Sequence, residues 1–311
     1  MKRLSFLLIA AILADVAIAQ IKDYSIFDDK LNFFVVNDMG RNGYYGQVEI
    51  AELMGQMAEQ IGPEFIVAAG DVHHFYGVAS VLDPLWLTNF EHIYKHPELM
   101  IPWYPILGNH EYRGNTKAVL DYATLSRRWM MPARYYTKSF EEEGTAVRVV
   151  WLDTSPMIDK YRADSDEYPD AWKQDYLKQL AWADSVLTAA TEDYVIVVGH
   201  HPIYAETGKD TSERDDMQAR LDPILRRHHV DFYINGHIHN FQHIRADGSD
   251  IDYVTNSAAS LSRRVSPVEG TQFCSPDPGF IVISADPKYI YLRMINSKGS
   301  VINTIKRKKK K

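Results

Sequence analysis

Asp231-Phe232-Tyr233-Ile234-Asn235-Gly236-His237-Ile238-His239 is an apolar run that stops at a glycine followed by two histidines. Four other stretches end in the same manner. Leu31–Val36 runs into Asn37-Asp38-Met39-Gly40, Phe65–Ala69 into Gly70-Asp71, Trp103–Leu107 into Gly108-Asn109-His110-Glu111, and Tyr194–Val198 into Gly199-His200-His201. Short apolar runs bounded by turn residues predict buried strands. Further strands are expected at Val147–Leu152, Ile251–Asn256, Phe280–Ser284, Tyr289–Met294 and Val301–Ile305. Helical patterns lie between them, at Gly46–Gln60, Leu82–Tyr94, Thr116–Arg128, Ala171–Leu187 and Met217–His228. Within Ala171–Leu187, Trp172, Tyr176, Leu180, Ala183 and Leu187 fall on one face, expected to pack into the core. Strands alternating with helices predict an α/β layered fold. In such folds ligands bind in the crevice at the carboxyl ends of the strands, where all five polar clusters fall.

The chain has 311 residues, 46% of them hydrophobic and 24% charged, which excludes a disordered chain and a multi-pass membrane protein. Residues 1–19 read as a secretory signal peptide. Lys2 and Arg3 precede an apolar run from Leu4 to Leu13, and Ala17-Ile18-Ala19 supplies a small-residue cleavage site before Gln20. The run is too short to span a bilayer. The expectation is an exported protein, periplasmic or secreted, with a single domain over residues 20–305 and a basic tail over 306–311. The net charge of −7 is a mixture. Removing residues 1–19 takes away Lys2, Arg3 and Asp15, and the six-residue basic end holds +6, which leaves Gln20–Ile305 at −14. An acidic body disfavours nucleic acid as a partner. The tail could touch an anionic membrane or glycan, although short terminal charge runs are ordinarily solvated. The lone cysteine, Cys274, sits in a stretch expected to be a Ser/Pro/Asp/Gly loop and forbids an intramolecular disulfide.

The five clusters supply Asp, Asn and His, oxygen and nitrogen donors that suit two cations of the Zn, Fe or Mn kind. Each has a glycine beside its polar residues, which permits a tight turn off the strand. Asp71, alone after Gly70, is the natural carboxylate to bridge two ions. His237 and His239, two apart on an extended segment, would point to opposite sides and so serve one ion each. Such a pair of ions holds phosphoryl oxygens and activates water for in-line displacement.

Taken in order, Asp38-Met39-Gly40, Gly70-Asp71, Gly108-Asn109-His110-Glu111, Val197-Val198-Gly199-His200 and Gly236-His237-Ile238-His239 resemble the motifs of the calcineurin-like metallophosphoesterases, and among them the small, tartrate-resistant type of purple acid phosphatase. The resemblance implies a four-layer α-β-β-α sandwich with a dinuclear metal site at the sheet edges. It implies that Asp38 and His239 bind the first metal, Asp71 bridges, and Asn109, His200 and His237 bind the second. His110 would contact the phosphate or protonate the leaving oxygen. The implied activity is phosphomonoester hydrolysis by direct attack of metal-held hydroxide on a small-molecule phosphoester, with no covalent phosphoenzyme. A phosphodiesterase or nucleotide pyrophosphatase would use the same ligands, and a non-catalytic exported binding protein is a further alternative.

Two departures stand out. The purple enzymes carry a tyrosine three residues after the bridging Asp, and this chain has His74 there, with His73 and Tyr76 close by. His74 is expected to replace the tyrosine as a ligand, favouring a divalent first metal over the ferric-tyrosinate pair that gives the purple colour. The family also often has a histidine after the Gly199-His200-His201 segment that contacts phosphate. Here Glu206-Thr207-Gly208-Lys209 stands instead, so His201 or Lys209 is expected to take the substrate-binding part. The acidic stretch from Met157 to Asp170 is expected to be a long loop over the strand ends; the resemblance implies a lid there, because in the small purple enzymes a loop in this region covers the site, and a plain surface loop is the alternative.

Overall fold

The computed structural model describes residues 23–310, so the expected signal peptide lies outside the described residues. Among the described residues no helix is long and apolar enough to cross a membrane. Among the described residues thirteen strands form two mixed sheets. In the first, β1 (Leu31–Val36), β2 (Phe65–Ala68) and β3 (Trp103–Pro105) run parallel. They are extended on the β1 side by the antiparallel β11 (Gly279–Ala285), β12 (Tyr289–Asn296) and β13 (Val301–Lys308). The second sheet is centred on parallel β5 (Thr145–Trp151), β6 (Tyr194–Val198), β7 (Phe232–Asn235) and β9 (Asp252–Thr255). Its antiparallel edges are β4 (Tyr136–Glu142) on one side and β8 (Phe241–Ile244) with β10 (Thr271–Ser275) on the other.

The central strands are buried along their whole length, as sheets covered on both faces require. The two sheets pack on each other through aromatic side chains. Phe65 of β2 stacks on Phe140 of β4, and Tyr104 of β3 tilts against Trp151 of β5. Helices α1 (Gln47–Ile61), α2 (Thr116–Asp121), α3 (Asp159–Ala163), α4 (Tyr176–Thr188), α5 (Ser212–Arg220) and α6 (Asp222–Arg227) complete the chain. Because a parallel pair needs a crossover, α1 links β1 to β2, α4 links β5 to β6, and α5 with α6 link β6 to β7. Two mixed sheets flanked by helices form the α/β sandwich expected from the motifs.

Several boundaries differ from the periodicity reading. Helix α4 starts only at Tyr176, because Asp175 caps it by accepting from the Lys178 N–H at 2.9 Å. Trp172 therefore lies outside the helix and is 53% exposed, not packed in the core. The expected helix Met217–His228 is split into α5 and α6 at Leu221, because Pro223 in the first turn of α6 has no N–H to give to a helix continuing from α5. Leu82–Tyr94 keeps only a short helical turn at Leu87–Glu91. The helix from Thr116 closes at Asp121 and passes into a tighter turn, Tyr122–Thr124. Strands β4, β8 and β10 were not expected. β4 and β10 are edge strands whose residues are mostly half-buried or exposed, so they lack an apolar run, and Cys274 sits in β10 rather than in a loop. β13 continues to Lys308, and Arg307 of the basic stretch places its guanidinium 3.0 Å from the buried Asp252 carboxylate.

Candidate metal centre

The five polar clusters meet where the carboxyl ends of β1, β2 and β3 face those of β6 and β7. Four of the site residues hold left-handed backbone conformations: Asp38 (φ 50°), Asp71 (53°), His237 (71°) and His239 (65°). Non-glycine residues rarely adopt this region, and where they do it turns the side chain sharply off the strand end. His237 and His239 thus sit in a turn, not on an extended segment. They still face different sides, but backbone reversal rather than strand alternation separates them. The neighbouring glycines serve close approach as much as turning. A Cβ on Gly70 (φ 88°) would lie 2.5 Å from His200 Nδ1, and one on Gly108 would overlap the Asp71 carboxylate.

Ligand atoms of Asp38, His74 and His239 lie within 4.8 Å of one another, as do those of His200, His201 and His237, and Asp71 groups with Asp38 and His200 and with His74 and His110. This makes two lobes with Asp71 between them. His74 Nδ1 donates to the Gly40 carbonyl (3.1 Å), His200 Nδ1 to Ala69 (2.9 Å) and His239 Nδ1 to Leu261 (2.7 Å). Each therefore turns an Nε2 lone pair inward, the outer-sphere arrangement that orients metal-binding imidazoles. His239 Nε2 then faces Asp38 Oδ1 at 3.2 Å, and His200 Nε2 faces Asp71 Oδ2 at 3.2 Å. Lone pairs opposed at such distances call for a cation between them. Asp38 Oδ1, Asn109 Oδ1, His74 Nε2 and His200 Nε2 are all buried without a hydrogen-bond partner, so the donor set fits a pair of metal ions.

Electrostatics point the same way. Burial acts to raise Asp38 and Asp71, but His239 beside Asp38 and His200 beside Asp71 hold both carboxyls well below the ordinary range. Burial acts to lower His200, yet the Asp71 carboxylate outweighs it and the imidazole is pushed up to about 9. Without a metal, a proton takes the cation's place.

Of the residues competing for the tyrosine position, the structure brings His74 to the site. His73 points into the core, edge-on to Trp86, with Nδ1 3.3 Å from Asn89 Nδ2. Tyr76 is 69% exposed. His237 turns Nε2 outward to Glu213 Oε2 (2.8 Å) and Lys209 Nζ (2.6 Å), which leaves Nδ1 as the free ring atom. His110 Nδ1 donates to the Phe75 carbonyl (2.6 Å), and its Nε2 lies 3.8 Å from Asp71 Oδ2. His201 is buried behind His237, with Nδ1 2.9 Å from Thr154 Oγ1. It is not among the residues that line the cavity, whereas Lys209 is.

Sequence reading passed over the residues that brace these ligands. Glu111 is fully buried and accepts from the N–H groups of Asp71 (2.9 Å), His73 (3.0 Å) and Gly108 (2.7 Å), tying the β2 and β3 ends together. Asn37 Nδ2 and the His237 N–H both donate to Asp38 Oδ2, at 2.6 and 2.7 Å, leaving Oδ1 to face the site. Thr154 Oγ1 accepts from the N–H groups of His200 and His201. Glu111 stood in a motif already singled out, and the only signal was a carboxylate beside an Asn-His pair. The cavity over the site holds about 320 Å3. The stretch expected as a lid does border it, through Lys160, Tyr161 and Tyr168 rather than through its acidic residues.

The sequence model of the calcineurin-like phosphoesterases matches residues 31–241, from β1 through the histidine turn to the start of β8. The chain belongs to this family. It is 33% identical over 241 residues to purple acid phosphatase 3 of Arabidopsis thaliana, covering 75% of this chain and 64% of that one. It is 32% identical over 218 residues to tartrate-resistant acid phosphatase type 5 of Oryctolagus cuniculus, covering 68% and 66%. The matched stretch thus spans about two thirds of these relatives. Among solved structures it resembles GAP50, the anchor in the inner membrane complex of Plasmodium, with a TM-score of 0.75, 26% identity, and coverage of 91% and 90%. Family membership implies a dinuclear metal site, and the clusters above are its place in this calcineurin-like phosphoesterase.

Proposed function

We propose that the protein is an exported dinuclear-metal phosphatase acting on phosphomonoesters. The observation that carries this reading is the convergence of Asp38, Asp71, His74, Asn109, His200, His237 and His239, with buried donor atoms left unpartnered, beneath an open cavity. Asp38, His74 and His239 would hold one ion and Asn109, His200 and His237 the other, with Asp71 between them. Two Zn, Fe or Mn ions there would draw charge from phosphoryl oxygens and make bound water acidic. The chain's own groups do the rest. His110, anchored through Nδ1 on Phe75, presents Nε2 to the cavity, where in its protonated form it hands a proton to the leaving oxygen. Lys209 and Lys160 add positive charge on the His237 side, where a phosphate would be drawn in. Export rests on the signal-like residues 1–19.

Elemental analysis of protein from its native host, with activity on a nitrophenyl phosphate and on its bis ester in the same sample, tests this. Two metal ions per chain and a faster rate on the monoester are expected. A faster rate on the bis ester would make the protein a phosphodiesterase. A second reading is favoured by one comparison: GAP50, an anchor by title, matches with a TM-score of 0.75 over 91% of this chain and 90% of that one. A metal-loaded protein with no turnover on either ester would support a non-catalytic binding role.

A further inference from the structure

The basic residues around the cavity exceed what one phosphate needs. Arg41, Arg113, Lys160, Lys209 and Arg263 reach it from five separate loops and helices, in a body whose net charge is strongly negative. Two of them are engaged in ion pairs, Arg113 with Glu167 (2.6 Å) and Lys160 with Glu213 (2.8 Å), while Lys209 Nζ lies 2.6 Å from His237 Nε2. Arg41 and Arg263 have no ion-pair partner among the described residues. Arg41 is only 7% exposed, its Nε has no hydrogen-bond partner, and its guanidinium is 5.1 Å from the centre of the Phe75 ring. Arg263 is exposed and donates its backbone N–H to the His239 carbonyl at 2.7 Å, which sets it beside the Asp38–His74–His239 lobe. Both arginines line the same cavity. The Asp38 and Asp71 carboxylates act on Arg41 to favour its charged form, and bound metal ions would offset both. A buried guanidinium and a neighbouring one are then left without a counter-ion at the mouth of the cavity.

We propose that Arg41 and Arg263 form a second anion subsite, so that the preferred substrates carry two phosphates close together, as a diphosphate or a vicinal bisphosphate does. One phosphate lies over the metal ligands and the other between the two guanidinium forks, whose planar donors match phosphate oxygens. The ring of Phe75, which also lines the cavity, walls the subsite beside Arg41. The inference rests on the phosphatase reading of the site, but its test does not need turnover.

Isothermal titration of the metal-loaded protein with inorganic pyrophosphate and with inorganic phosphate measures the preference directly. Wild type is expected to bind pyrophosphate at least about tenfold tighter than phosphate, the scale of one charge-assisted contact. Arg263→Ala, an exposed change that leaves the core intact, is expected to lower that ratio about tenfold. Arg41→Lys, which keeps the charge and removes the fork, is expected to lower it less. A wild-type ratio near one overturns the proposal, as does a ratio that both variants leave unchanged, or one that stays constant because both ligands weaken alike. Should nitrophenyl phosphate prove not to be hydrolysed while the ratio falls as stated, the phosphatase reading fails and the subsite stands.

Discussion

Glu111 offers a quantitative test of how the site is held. Its carboxylate accepts three backbone N–H groups, with Oε2 shared by Asp71 and Gly108 and Oε1 taken by His73. In Glu111→Ala all three donors would be buried without an acceptor, at about 1–3 kcal/mol each. Relief of the repulsion between Glu111 and Asp71, and water entering the space, offset part of this. The expected net loss is about 3–5 kcal/mol, a large share of a typical domain's stability. In Glu111→Gln the amide oxygen can keep the Asp71 and Gly108 bonds, but the NH2 group faces the His73 N–H. The expected loss is about 1–3 kcal/mol, one unsatisfied donor. Urea unfolding at neutral pH with a chelator present measures both variants against wild type. Metal stoichiometry on undialysed samples reads the consequence, since Asp71 and Asn109 hang from the loops that Glu111 joins. An alanine variant within about 1 kcal/mol of wild type that keeps both metal ions would refute the bracing role.

Other outcomes follow from the same geometry. Asp71→Asn and His237→Ala are expected to abolish turnover and metal retention, checked by activity and elemental analysis; wild-type turnover in either variant defeats the ligand assignment. Iron-loaded wild type is expected to lack an intense tyrosinate band in its visible spectrum, because His74 and not Tyr76 reaches the Asp38–His239 lobe; a strong band that disappears in Tyr76→Phe would reverse that conclusion. At the far end of the second sheet, buried Asp252 binds His243 (2.8 Å), Arg245 (2.7 Å) and Arg307 (3.0 Å). Burial acts to raise its carboxyl, but these partners hold it below the ordinary value of 3.8. A carboxyl lowered in the folded state contributes fully above its unfolded value, and the contribution is lost as pH falls through the folded value. Wild type is therefore expected to lose stability more steeply than Asp252→Asn below about pH 4 in acid titrations of the melting temperature. At neutral pH the variant is expected to be less stable by about 2–4 kcal/mol in urea unfolding.

The five motifs were legible because each couples an apolar strand, a glycine and a donor residue in one short stretch, and local signals survive in a linear chain. The order of strands and helices followed from the same runs. Edge strands β4 and β10 were not legible, since a strand with solvent on one side has no continuous apolar signal. The helix ends were set by Asp175 and Pro223, single residues that override a periodic pattern. The acidic body concealed the basic ring of the cavity, because net charge sums the whole surface while Arg41, Arg113, Lys160, Lys209 and Arg263 gather only in space.

By itself the sequence determined the donor types, their order and their attachment to strand ends, hence the family and the kind of chemistry. Which of His73 and His74 turns inward, which atom of His237 stays free, and that Glu111, Asn37 and Thr154 brace the ligands were decided by tertiary structure alone. The reason is physical: spacing along the chain fixes which residues can turn off a strand, whereas the direction of a side chain depends on the backbone carbonyl or carboxylate that another strand brings within hydrogen-bond reach.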